Sequence, residues 1–216
     1  SIDKALGNAI ELNSLILTST SLSRSDIVND ERQYIDERGD LHLSSIYSPK
    51  SVSTTDFQDF SESNIKDKLL QDLAKTVVGS SELSNEKVAK LLAFVSAYIK
   101  DIPVIRPMSL KTILEQRKGD CTEHTQLFIA LARAIDIPAR EVKGLVYLGD
   151  EIQGFGGHVW SEVILDNKWV AVDPTWNLQR LSATHIQLEA ANTENFYNQM
   201  HSDSTLSFSL KSAVYQ

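Results

Sequence analysis

The 216-residue chain carries 21 Lys and Arg against 29 Asp and Glu, a formal net charge of −8, with 42% hydrophobic and 23% charged residues. These proportions exclude a disordered, collagen-like or coiled-coil chain, and an acidic balance argues against gripping a phosphate backbone, so no nucleic-acid partner is expected. The single cysteine rules out an internal disulfide and any Cys-rich zinc site. No apolar run approaches the roughly 20 residues needed to cross a bilayer, so no transmembrane segment is expected in this chain. A chain of this length can bury about 70% of its unfolded surface and folds without covalent staples. The sequence starts at Ser1 rather than Met and reads as trimmed from a longer product, so any upstream targeting or anchoring segment lies outside it.

Three zones differ in texture: an N-terminal extension over 1–63, a core over 64–192 and a C-terminal segment over 193–216. The first is rich in Ser, Thr, Asp and Asn, and its short apolar runs, Leu15–Leu17 and Leu41–Leu43, predict short strands and turns. Pro49 and the polar stretch 51–56 predict loop, and the charged run from Asp26 to Asp40 a solvated face. From Asn64 the pattern turns helical. Ile65, Leu69, Leu70, Leu73 and Val77 form one amphipathic stripe ended by Gly79. Ser84 is placed to cap a second helix with Val88, Leu91, Leu92, Val95 and Ile99 inside, and Ser109 opens a short third one.

A fourth helix begins where Asp120 suits an N-cap and Glu123, three residues on, completes a capping box, which sets Cys121 at the first helical position. Pro138 is expected to close it. The period then changes to two. Glu141–Leu148, Val159–Leu165 and Lys168–Val172 read as strands, with 149–157 a glycine-bearing loop, Asp166-Asn167 a tight hairpin turn and 205–210 a late edge strand. Helices in one block and strands in another predict an α+β fold.

Cys121 is the most informative residue. A thiol at a helix start lies among unpaired backbone N–H groups at the positive end of the helix dipole, and both favour the thiolate. The same N–H groups point to where an oxyanion would develop during attack on a carbonyl. A nucleophile also needs a base, and the base an orienting partner. If Asp166 and Asn167 are the turn residues, Leu165 faces Lys168, Asp173 lies opposite Trp160, and His158 is its diagonal neighbour on the same face. A shifted turn would instead set His158 directly opposite Asp173, and either register pairs them. Gly156 and Gly157 keep the approach to His158 uncrowded. Taken singly, a lone cysteine is more often core, a lone histidine structural and an Asp-Pro a turn. In the order helix-start Cys, strand-start His and strand-end Asp, they point together to nucleophilic catalysis.

Other residues compete for roles. His124 follows Cys121 by three and is read as shaping the cleft entrance rather than as a rival base. Zinc held by Cys121, His124 and His158 matches no closed-site spacing, so no metal is assigned. Trp160, Trp169 and Trp176 cluster around the hairpin as core and cleft wall, with Trp160 and Trp176 the candidates for substrate contact. Glu123 is assigned to capping.

The motifs Arg117–Cys121, Leu131–Arg140, Gly157–Val163 and Trp169–Thr175, with Ala183–Ile186 after them, resemble the bacterial transglutaminase-like superfamily, over about 111–188 and in the family's order. The resemblance implies a papain-like α+β core, with a helix bundle that starts the nucleophile's helix packed on an antiparallel sheet. It implies Cys121 as nucleophile, His158 as general base, Asp173 as orienter, no cofactor, and acyl transfer from a peptide or protein substrate through a thioester. Hydrolysis is favoured over cross-linking. The family's animal cross-linking enzymes place a tryptophan well upstream of the cysteine to help hold the oxyanion, and here none precedes Cys121; Gln116 is the candidate second donor. A protein-glutamine transglutaminase and a non-catalytic module using the same cleft are the alternatives. An extracytoplasmic bacterial setting is the localisation that the resemblance implies.

Overall fold

The computed structural model describes residues 1–19, 21–53, 67–191, 193–194, 196–197 and 206–216. Asn64, Ile65 and the polar positions 54–56, with 205 of the expected late strand, lie outside the described residues. The chain divides into two compact units. One takes Ser1–Ser48, Lys143–His158 and Leu181–Gln216; the other takes Pro49–Val142 and Val159–Arg180.

The first unit is built on an antiparallel sheet of order β10-β1-β3-β2, from β1 (Leu12–Ser19), β2 (Gln33–Ile35), β3 (Asp40–Ser44) and β10 (Phe208–Tyr215). The late strand lies at the sheet's edge but runs over Phe208–Tyr215 rather than the expected 205–210, and pairs with β1 from Leu12↔Tyr215 to Ser19↔Phe208. Leu12, Leu15, Leu17, Leu41, Leu43 and Phe208 are buried in one apolar cluster with Tyr147, Phe155, Ile186 and Leu188. The run 26–40 is not simply a solvated face. Arg32 and Gln33 are buried, at 3% and 0% exposure. They tolerate burial because their polar atoms are paired: an Arg32 guanidinium N–H donates to the His185 carbonyl at 2.6 Å, and Gln33 Nε2 donates to the carbonyls of Val28 and Gln187, each at 2.7 Å.

The second unit holds the helices. In α1 (Lys68–Val78), Asp67 caps the start and the buried stripe is Leu70, Ala74 and Val78, while Leu69 stands 66% exposed, so the apolar face lies about one residue round from the expected one. Helix α2 (Ser84–Tyr98) starts after Leu83, which makes no side-chain cap, so Ser84 is its first residue rather than its cap. Helix α3 (Leu110–Gln116) is capped by Ser109, whose side chain accepts from the Thr112 N–H. Helix α4 (Cys121–Ala134) ends at Ala134. Asp136 in the left-handed region (φ 61°) and the Ile137 N–H bonded to the Ala132 carbonyl terminate it before Pro138.

Four strands, β6 (Ala139–Tyr147), β7 (Phe155–Leu165), β8 (Lys168–Val172) and β9 (Ile186–Gln187), form a sheet of order β8-β7-β6-β9. Both turn residues of the β7–β8 hairpin, Asp166 and Asn167, have positive φ, 48° and 60°, the signature of a type I′ turn. Its register runs from Leu165↔Lys168 to Ser161↔Val172. Val163 and Val172 of this hairpin share an apolar cluster with Leu127, Phe128 and Leu131 of α4 and with the other three helices. The result is an α+β architecture with helices packed on antiparallel strands.

Candidate active site

The start of α4 is fixed by its own sequence. Asp120 Oδ1 accepts the Thr122 N–H at 2.9 Å, and Glu123 Oε2 accepts the Asp120 N–H at 3.0 Å, so the expected capping box is formed. Glu123 is fully buried, and its Oε1 accepts the Met108 N–H at 3.1 Å. Gly119 is required by this packing: a Cβ there would stand 2.3 Å from Glu123 Cβ. The run Arg117–Cys121 thus has a physical reading. Arg117 leaves α3 in the left-handed region (φ 51°), and Lys118-Gly119 (β5) pairs in parallel with Lys100-Asp101 (β4). Gly119 then admits Glu123, and Asp120 caps the helix.

Cys121 is a free thiol of intermediate exposure at the first helical position. The capping box engages the N–H groups of Asp120, Thr122 and Glu123 and leaves that of Cys121 out. Thr125, one turn on and on the same helix face, donates its hydroxyl to the Val159 carbonyl at 3.1 Å. The face of α4 that carries Cys121 is therefore tied to β7 at the residue after His158. Sequence reasoning missed this tether, although the four-residue spacing from Cys121 was there to find.

Asp173 follows β8 and is fully buried. Its backbone N–H and carbonyl both pair with Leu178, at 2.9 and 2.8 Å, closing a short loop, and its Oδ1 accepts the Thr175 N–H at 2.8 Å. The Ser96 hydroxyl donates to the Thr175 carbonyl at 3.1 Å and ties that loop to α2. The β7–β8 register, Leu165↔Lys168 to Ser161↔Val172, follows from the turn residues Asp166 and Asn167 and ends one residue short of Asp173. His158 stands two residues before Trp160 on β7.

His158 is 4% exposed. Its carbonyl accepts the Tyr197 hydroxyl at 3.4 Å, and its ring meets that of His185 edge to face, centroids 5.8 Å apart. His185, itself 1% exposed, has its Nδ1 3.2 Å from Ser182 Oγ, which is 2.8 Å from Thr184 Oγ1. Of these neighbours, Thr184 and His185 belong to the Ala183–Ile186 motif, while Ser182 and Tyr197 are marked by no pattern in the sequence. The two glycines before His158 have different surroundings. A Cβ on Gly156 would crowd Leu148 Cδ1 at 2.6 Å, so that the end of that side chain must yield, whereas one on Gly157 would only touch the Tyr197 ring at 3.4 Å.

The secondary candidates separate. His124 has no exposed surface, and its Nδ1 lies 2.7 Å from the Asp120 carbonyl, so it supports the helix start from within rather than shaping an entrance. Trp160 is fully buried and Trp169 nearly so, with the Arg140 guanidinium 3.8 Å above the Trp169 ring. Trp176, at 39% exposure in the loop after Asp173, is the accessible tryptophan. Gln116 ends α3 with its side chain exposed.

Residues 71–174, which span α4, β7, β8 and all three candidate catalytic positions, match the family model of the transglutaminase-like superfamily. This segment is similar to the transglutaminase-like core. Solved structures of similar fold include a protein of Cytophaga hutchinsonii proposed to be a cysteine protease, with 15% identity over 80% of this chain and 75% of that one at a TM-score of 0.49. The periplasmic domain of TgpA from Pseudomonas aeruginosa aligns at 16% identity over 76% of this chain and 69% of that one, at a TM-score of 0.48. The ethylmercury-bound form of that domain aligns at 13% identity over 82% and 88%, at 0.47. No curated protein matches the sequence. Among the described residues no helix is long and apolar enough to cross a membrane.

Proposed function

We propose that this chain is a cysteine-dependent acyl-transfer enzyme that hydrolyses peptide or amide bonds, with Cys121 as nucleophile, His158 as base and Asp173 as its orienting partner. The observation that carries the reading is the placing of the one thiol: partly exposed, at the first position of a fourteen-residue helix, on the face tethered to β7 beside His158. The similarity of residues 71–174 to the transglutaminase-like core supports it.

In the first step the Cys121 thiolate attacks the amide carbonyl carbon, and the Cys121 N–H is positioned for the developing oxyanion. The C–N bond breaks, and the amine leaves with a proton from the His158 imidazolium, giving a thioester. In the second step His158 takes a proton from water as its oxygen attacks the thioester carbon. The C–S bond breaks, the carboxylic acid departs, and the Cys121 thiolate is restored with the proton from water on His158. Asp173 holds the imidazole and stabilises its cationic form. Gln116 is the candidate second oxyanion donor and Trp176 a substrate contact. An extracytoplasmic bacterial setting, resting on the sequence resemblance, belongs to the same proposal and is open to test by fractionation of cells expressing the full-length protein.

Iodoacetamide labelling of Cys121 against pH tests the nucleophile directly. Fast labelling near pH 6 that His158→Ala abolishes is expected, with Cys121→Ala and His158→Ala each lowering turnover at least about 10³-fold. Labelling that rises only above about pH 8 and is identical in both proteins would sink the enzyme reading and leave a binding module. Added primary amines separate the acyl acceptors: incorporation well above hydrolysis would make the chain a cross-linking transferase.

A further inference from the structure

We infer that the segment leading to Cys121 is a carboxylate-recognising subsite and that the preferred acyl donors are acidic peptides; this rests on the hydrolase reading above. The chain as a whole is strongly acidic, yet residues 100–118 carry five Lys and Arg, namely Lys100, Arg106, Lys111, Arg117 and Lys118, against two acids, Asp101 and Glu115. All seven are exposed. Glu115 is engaged by Lys111 one turn away on α3 at 3.9 Å, and Arg117 lies over the Tyr98 ring at 4.8 Å. Lys100, Arg106 and Lys118 form no ion pair among the described residues.

The backbone holds these cations together. In the parallel β4–β5 pair, Lys100 and Lys118 occupy directly matched register positions. Like charges side by side on neighbouring strands destabilise a ribbon unless something anionic faces them. The pairing is nevertheless firmly made: the Lys100 N–H donates to the Arg117 carbonyl at 2.9 Å and the Ile102 N–H to the Gly119 carbonyl at 2.8 Å. Arg106 sits in the connection from β4 to α3. That connection is fastened at one end by the Ile102–Gly119 bond and at the other by the Met108 N–H on Glu123 Oε1, inside the first turn of the nucleophile's helix. Lys118 is three residues before Cys121, a backbone separation of at most about 10 Å. That is just beyond the screening length of about 8 Å at physiological salt, so the coupling of these exposed charges to Cys121 is weakened there. It grows at low ionic strength, where the length reaches about 30 Å at 0.01 M. At the helix start the Asp120 and Glu123 carboxylates offset the positive end of the dipole, so the cations of this segment supply the positive potential. A substrate carboxylate flanking the scissile amide would meet the two lysines and the arginine as its carbonyl reaches Cys121.

Two reagents that differ only in charge test this without a known substrate. The ratio of Cys121 alkylation rates, iodoacetate over iodoacetamide, is measured in wild type, in the double variant Lys100→Gln/Lys118→Gln, and in Lys75→Gln on α1 as a control. The double variant is expected to lower the ratio about five-fold at 20 mM salt, the control to leave it unchanged, and 0.5 M salt to erase the difference. A pair of peptide aryl thioesters, identical but for Glu-Glu or Lys-Lys beside the acyl residue, then reads the substrate preference. Wild type should show a KM at least five-fold lower for the acidic one, and the double variant should lose that difference. Equal ratios in wild type and double variant, or no preference between the thioesters, would overturn the inference. Failure of the hydrolase reading is separate, because it shows in the iodoacetamide rate and its dependence on His158.

Discussion

Cys121 is held by its near neighbours in sequence, and His158 by residues scattered across the chain. On the nucleophile's side, Glu123 reaches back three residues to the Asp120 N–H and fifteen to that of Met108, and Gly119 makes room for it. On the base's side, the Tyr197 hydroxyl arrives from 39 residues downstream, and His185 is braced through its carbonyl by Arg32 from 153 residues upstream. A helix cap is a local object that a few residues specify, whereas a buried histidine must be walled in by whatever the topology delivers. The two sides should therefore respond differently to mutation.

The largest expected stability effect lies on the local side. In Gly119→Ala the new methyl would overlap Glu123 Cβ, which cannot swing away as the end of a flexible chain could, so the helix start must shift. We expect a loss of about 3 kcal/mol in chemical denaturation, with Cys121 labelling slowed because the thiol moves with the first turn. Wild-type stability and labelling in this variant would remove the distinction drawn here.

That local character explains what the sequence discloses. The capping box, the hairpin turn and the register of β7 on β8 each depend on residues within one or two turns of one another, and all are legible in Asp120–Glu123 and Leu165–Lys168. The burial of Arg32 and Gln33 is not. A run of polar residues looks solvated until a distant partner is known, and here the partner is the segment His185–Gln187. The stripe of α1 was readable as a stripe, but Leu69 and Leu70 compete for the inward position, and only packing decides between them. His185 lies in the Ala183–Ile186 motif, but nothing in that motif assigns it to the wall of His158, and Tyr197 carries no local signal at all.

A smaller effect is expected from Gln33→Ala, which probes the long-range side. Gln33 Oε1 accepts the Gln187 N–H at 2.7 Å while Nε2 serves the Gln187 and Val28 carbonyls. Truncation strips these buried groups of their partners, a cost of about 2 kcal/mol. Because the segment that loses its bracing continues from His185, labelling of Cys121 at pH 6 should also fall, by about three-fold. A change in stability with no change in labelling would show that the bracing of His185 does not reach His158.

The smallest effect belongs to a network in the first unit that is nevertheless local. Asp36 opens the turn between β2 and β3. Its Oδ1 accepts the N–H groups of Arg38 and Asp40, each at 2.9 Å, and its Oδ2 lies 3.1 Å from His42 Nε2. The bond from the Asp40 backbone, followed by that from His42, holds this carboxyl below its ordinary range. A depressed carboxyl favours the folded state above its unfolded pKa of about 4, and that contribution disappears as the pH falls through the lower folded value. Asp36→Asn should therefore lower Tm slightly at pH 7, and the gap between variant and wild type should narrow as the pH falls below the ordinary carboxyl range. The carboxylate is exposed to solvent, so salt screens it and the shift should stay within a few degrees. A gap that persisted unchanged at pH 3 would mean that the turn is held by geometry rather than by charge, and locality alone would then not make a network sensitive to titration.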